Sequence, residues 1–117
     1  MKPSFSDMVE NLAKSGKQIA AEMTPQDAHI LHMAVGICGE AGELIDAIKK
    51  AVIYRKLLDR ANVIEELGDI EFYLEGLRQR LGITREETID ANIDKLLVRY
   101  NGLNYTDTAA QTRADKA

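Results

Sequence analysis

The sequence predicts an all-α protein: a four-helix bundle of the kind that assembles as an oligomer, with a long second helix at its centre. Three observations predict it. Only two prolines occur in 117 residues, Pro3 and Pro25, so no proline interrupts the long middle of the chain. Apolar residues recur there at helical spacing, and start and stop signals divide the chain into four segments. The formal net charge is −4 with a sequence pI near 5.2. No lysine or arginine cluster dominates, which argues against binding nucleic-acid polymers. Nothing approaches the run of about 20 apolar residues that a membrane span needs, and no signal peptide opens the chain. The single cysteine, Cys38, cannot form an internal disulfide and reads as a small buried hydrophobe on an apolar helical face. A cytoplasmic protein is expected, with one helical domain over residues 1–103 and a polar tail over 104–117.

The first predicted helix runs from about Ser6 to Met23 on Phe5, Met8, Val9, Leu12 and Ile19, weakened at Gly16. The second starts afresh at Thr24-Pro25-Gln26-Asp27, with Thr24 as N-cap, Pro25 at the first helical position and Asp27 favouring the helix dipole. It continues to about Arg55. Ile30, Ile37, Ala41, Leu44, Ile48 and Val52 share one broad face, and Leu31, Val35 and Ile53 spill onto another, so this helix packs on more than one side. Gly36, Gly39 and Gly42 each cost about 1 kcal/mol relative to alanine in a helix interior. Close approach of another helix or of a substrate would offset that cost; a break near Gly39 is the alternative.

The third helix spans about Arg60 to Leu81 on Val63, Leu67, Ile70, Leu74, Leu77 and Leu81, and stops at Gly82 with Ile83 as the accompanying apolar contact. Thr84-Arg85-Glu86-Glu87 reads as a capping box that opens the fourth helix, which reaches about Tyr100. The polar tail that follows is expected to be disordered, or ordered only on a ligand or a neighbouring subunit.

The chemistry is carried by two acidic pairs. Glu40 and Glu43, in Gly39-Glu40-Ala41-Gly42-Glu43-Leu44, project from one face of the second helix. Glu66 and Asp69, in Glu65-Glu66-Leu67-Gly68-Asp69, project from one face of the third. Most such pairs are solvated helix faces. Here, however, both pairs flank apolar stripes, so the acids are drawn to the rim of the core, where like charges repel unless a cation lies between them. An oxygen-only cluster suits Mg²⁺, with Mn²⁺ as a substitute. Stepping about 100° per residue puts Lys50, His29 and His32 on the stripe of Glu40 and Glu43, and Asn62 and Tyr73 on that of Glu66 and Asp69. The histidines read as packing or pocket-lining residues rather than metal ligands.

With these residues in view, the chain resembles the all-α nucleoside triphosphate pyrophosphohydrolases of the MazG-like superfamily, above all its small single-domain members of phage and bacterial type. The family's ExxE and ExxD pairs stand here as Glu40-xx-Glu43 and Glu66-xx-Asp69, with twenty-two residues between them. The likeness runs from about His32 to Lys116. It includes Lys50, Asn62 and Asn92-xx-Lys95-Leu96-xx-Arg99-Tyr100, but departs after Tyr100, where Asn101-Gly102-Leu103-Asn104-Tyr105 replaces a proline-glycine-aromatic turn.

The resemblance implies Mg²⁺-dependent hydrolysis of a nucleoside triphosphate to the monophosphate and pyrophosphate. Glu40, Glu43, Glu66 and Asp69 would hold the metal, with Glu40 or Glu65 as general base. Lys50, Asn62, Asn92, Lys95, Arg99, Arg113 and Lys116 would contact the nucleotide, some of them across a subunit boundary; Arg99 reads equally well as a structural ion-pair partner. A homodimer or homotetramer is expected, since a helix apolar on two sides is ill suited to a monomer. Two alternatives remain open: a phosphoribosyl-ATP pyrophosphohydrolase, and a helical regulatory protein that binds metal or nucleotide without turnover.

Overall fold

The structure, a computed structural model, describes residues 1–116; Ala117, the last residue of the expected tail, lies outside the described residues. Six α-helices follow one another: α1 Phe5–Leu12, α2 Gly16–Glu22, α3 Pro25–Val52, α4 Arg60–Leu81, α5 Arg85–Arg99 and α6 Asp107–Thr112. Single 3-10 turns at Asn101–Leu103 and Ala114–Lys116 complete the chain, and no strand occurs among the described residues. The chain is therefore all-α, as expected.

The helix starts follow the caps read from the sequence. Thr24 accepts from the Asp27 amide while the Asp27 carboxylate accepts from the Thr24 amide, a complete capping box with Pro25 in the first turn. At the head of α5 Thr84 accepts from the Glu87 amide, the N-cap half of the expected capping box. Gly82 ends α4 at φ 67°, and the Ile83 amide reaches back to the Arg78 carbonyl at 2.9 Å.

Two boundaries differ from expectation. The single first helix is two short ones, because Ser15 caps a new start at the Gln18 amide and Gly16 becomes the first residue of α2. The long helix stops at Val52, three residues before the expected Arg55. There Arg55 adopts a left-handed φ of 57°, and the Lys56 amide bonds the Lys50 carbonyl at 3.1 Å. The left-handed residue lies two positions beyond the Ile53 cap and turns the chain away from the helix axis, at roughly 1–2 kcal/mol of local strain.

Helices α3 and α4 form an antiparallel hairpin. Gln26 donates to the Arg80 carbonyl at 2.7 Å at its open end. Further along, Gly36 faces Tyr73 and Gly76 faces Met33 so closely that a Cβ on either glycine would overlap the facing side chain. These two glycines repay their helix cost in interhelical contact. Helix α3 runs unbroken through Gly39 and Gly42, so the expected alternative of a break does not occur.

The other large unit is α5, whose packing partners are the turns and helix of the tail. That tail is not a bare polar segment. Thr106 caps α6, Tyr105 donates to Asp107 at 2.7 Å, the Tyr100 and Tyr105 rings lie 5.7 Å apart, and Arg99 pairs with Asp115 at 2.7 Å. The radius of gyration is 20.2 Å, against about 13 Å for a compact domain near this length. One chain thus does not close into a compact four-helix bundle. Met33, Ala47 and Glu66 alone are buried among the described residues. Cys38, expected to be buried, is exposed, because α4 covers only one side of α3.

Candidate metal centre

The hairpin register puts the two acidic pairs opposite each other. Carboxylate oxygens of Glu40, Glu43 and Glu66 lie within 4.8 Å of one another. Glu66 is only 7% exposed, Glu40 is half-buried and Glu43 is exposed. One oxygen each of Glu40 and Glu66 is buried without a hydrogen-bond partner.

Two carboxylates have no hydrogen to offer each other, so these oxygens call for a proton, a cation or a donor from outside the pair. The effect on Glu66 is large. Its pKa is pushed up to about 7, first by the hydrogen bond to Glu40 that protonation would create, then by burial and by the charges of Glu43 and Glu40. Unpaired buried oxygens, three converging acids and an all-oxygen donor set fit a hard divalent cation.

Glu43 and Glu66 of the trio line an open cleft of about 560 Å³, together with Gly39, Gly42, Asp46, Lys50 and Asn62, within the range of small-molecule sites. A Cβ on Gly39 or Gly42 would meet nothing in this chain. Unlike Gly36, these two glycines leave backbone open to whatever enters the cleft. Lys50 reaches Asp46 at 3.2 Å, both well exposed, a pair of little strength by itself. Asp46 is a cleft residue that motif reading missed, although its place three residues after Glu43 and four before Lys50 was available as a signal. Asn62 is half-buried, and its backbone N–H donates to the Asp59 carboxylate that caps α4.

The remaining sequence-predicted residues lie elsewhere in the chain. Asp69 is half-buried on α4, one turn beyond Glu66, and is not gathered into the trio. Glu65 is exposed and also outside it. None of Asn92, Lys95, Arg99, Arg113 and Lys116 lines the cleft. Asn92 and Lys95 are exposed on α5, Arg113 ends α6 at φ 51°, and Lys116 is exposed in the last turn. The Arg99 guanidinium is engaged with Asp115, the ion-pair role that the sequence left open; nothing in the tail's composition pointed to Asp115 as the partner.

The fold and the cleft define a helical-hairpin protein whose facing helices bring together a cluster of carboxylates suited to a hard cation. The profile of the MazG nucleotide pyrophosphohydrolase domain matches residues 29–103. The chain belongs to that family. No curated protein and no solved structure is matched by the sequence. No helix among the described residues is long and apolar enough to cross a membrane.

Proposed function

We propose that this chain is a nucleoside triphosphate pyrophosphohydrolase that depends on Mg²⁺, with Mn²⁺ as a substitute, and releases a nucleoside monophosphate and pyrophosphate. The observation that carries the proposal is the trio Glu40, Glu43 and Glu66, with two buried oxygens lacking partners. These three side chains would hold the cation, and Asp69 would add negative charge at its edge. When bound, the cation supplies positive charge that offsets the phosphate oxygens and the charge developing in the transition state. Lys50 and the Asn62 amide, on the cleft walls, would receive phosphate oxygens and orient the triphosphate.

Water attacks the α-phosphorus, the bond to the bridging oxygen breaks, and pyrophosphate leaves. The proton from water passes to a carboxylate, Glu40 within the trio or Glu65 beside it. The test is pyrophosphate release from a panel of ribo- and deoxyribonucleoside triphosphates with Mg²⁺. Turnover that stops with chelator is expected. Nucleotide binding without turnover would replace the proposal with the regulatory alternative.

A homo-oligomer, dimer or tetramer, belongs to the same proposal. Ile45, Val52 and Ile53 stand 58–66% exposed along a groove of about 480 Å³ on α3, while Ile93 and Leu97 are about half exposed on α5. Faces of this kind are covered by a second copy in stable assemblies. In such an assembly, Asn92 and Lys95 would be free to serve a neighbouring cleft. Light scattering at the 13.0 kDa mass of a single chain would overturn it.

A further inference from the structure

A second pocket lies on the α3–α4 hairpin, beyond the acids and toward the helix pair's open end. It has a volume of about 330 Å³ and is walled by His29, Met33, Phe72, Glu75, Gln79 and Arg80. Phe72, at its rim, is 67% exposed, and Met33 is buried. The Phe72 ring meets Tyr73 edge-on at 5.2 Å, and Tyr73 meets His32 at 6.1 Å. Tyr73 in turn lies against the Gly36 backbone. An aromatic row therefore crosses the hairpin between the acid trio and the pocket.

The spacing along the hairpin bears on what the pocket takes. Gly36 and Met33 precede Glu40 by four and seven residues, about 6 and 10 Å along the axis. At about 100° per residue, His32 falls within about 20° of Glu43, so the row begins on the side of α3 that carries the cleft. Lys50 stands at the opposite end of that cleft. A cation holding the reacting phosphate at the trio would thus have a basic group on one side and aromatic rings on the other. The pocket adds groups that can both donate and accept: the Gln79 amide and the His29 imidazole. Glu75 is already engaged by Arg78 at 3.1 Å.

We infer that this pocket receives the base of the nucleotide, stacked on Phe72 with its edge toward Gln79 and His29, while the outer phosphates extend toward Lys50. The inference rests on the proposed hydrolysis and adds to it the polarity of the substrate along the hairpin and the residues that select the base. Phe72 acts by its aromatic face, and Gln79 distinguishes one base from another.

The experiment compares nucleoside triphosphates with inorganic tripolyphosphate, which has the phosphates and no base. KM and kcat for each nucleotide, and the inhibition constant of tripolyphosphate, are measured with Mg²⁺ for the wild type, Phe72→Leu, Phe72→Tyr and Gln79→Ala. Phe72→Leu is expected to raise KM about ten- to hundredfold with little change in kcat, leaving inhibition by tripolyphosphate unchanged. Phe72→Tyr keeps the wild-type KM, and Gln79→Ala reorders the preference among bases. An unchanged KM in Phe72→Leu, or an equal loss for nucleotide and tripolyphosphate, overturns the base pocket while leaving the cation site standing. A wild type with no turnover on any nucleotide overturns both.

Discussion

The hairpin of α3 and α4 and the unit of α5 with its tail solve opposite electrostatic problems. In the hairpin, three acids converge and two buried oxygens have no partner within the chain. In the α5 unit, the Arg99 guanidinium and the Asp115 carboxylate meet in a two-bond pair whose side chains are only 16% and 6% exposed. The second arrangement is complete in itself and needs nothing from outside. The first is a concentration of like charge that is costly until a cation enters. A site built for a guest is thus distinguishable from a contact built for the fold by asking which buried groups are left unsatisfied.

The largest effect expected from this contrast follows from removing one acid of the trio. Glu66→Gln keeps the shape of the side chain, removes its charge and provides a hydrogen for Glu40. Pyrophosphate release with Mg²⁺ should fall by a factor on the order of 10² to 10³, corresponding to several kcal/mol of lost transition-state stabilisation. The cation-free protein should melt at a higher temperature, because a repulsion has been removed. Activity and stability moving in opposite directions is what a functional cluster predicts; a variant that loses both would make the trio a structural element. Asp69→Asn, outside the trio, should cost activity less.

The glycines divide in the same way. Gly36 is closed in by Tyr73, and Gly42 opens onto the cleft. Gly36→Ala should destabilise by about 1–3 kcal/mol through overpacking. Gly42→Ala should instead stabilise α3 by up to about 1 kcal/mol through helix propensity. If the cleft holds substrate against the backbone, Gly42→Ala raises KM while raising the melting temperature. Equal melting temperatures for the two variants would remove the distinction drawn between them.

How much of this was legible in the residues depends on the range of the interaction. The caps at Thr24, Thr84 and Gly82 are local, and each was readable: the two threonines bond amides three residues on, and glycine is the residue that takes a left-handed φ readily. The facing of Glu40 and Glu66 was readable because both sit at the edge of long apolar stripes whose antiparallel pairing sets the register. The clasp of Arg99 by Asp115 was not, since they stand sixteen positions apart across turns and a short helix and no periodicity links them. The exposure of Cys38 was misread for a related reason. Apolar periodicity reveals which faces of α3 avoid water, but not whether one chain supplies enough partners to cover them.

The smallest expected effects are in pH, and they separate the two regions by sign. Glu66 titrates at about 7 in the folded chain against an ordinary 4.5, so between those values the folded state holds more protons than the unfolded. Without a divalent cation, stability should therefore fall as pH rises through this window and level off above 7. Saturating Mg²⁺ should flatten the slope, because the cation takes the place of the proton, and Glu66→Gln should remove it. Asp115 behaves inversely. Arg99 holds its carboxyl below the ordinary 3.8, so its contribution is present above that value and is lost as pH falls through its lowered pKa. Acidification should thus release the tail from α5, read as protease sensitivity around Arg113, while the hairpin gains rather than loses from protonation of Glu66. Melting curves across pH with and without Mg²⁺, alongside limited proteolysis, report both. A Mg²⁺-independent slope near neutral pH would mean that the proton on Glu66 and the cation do not compete for the same oxygens.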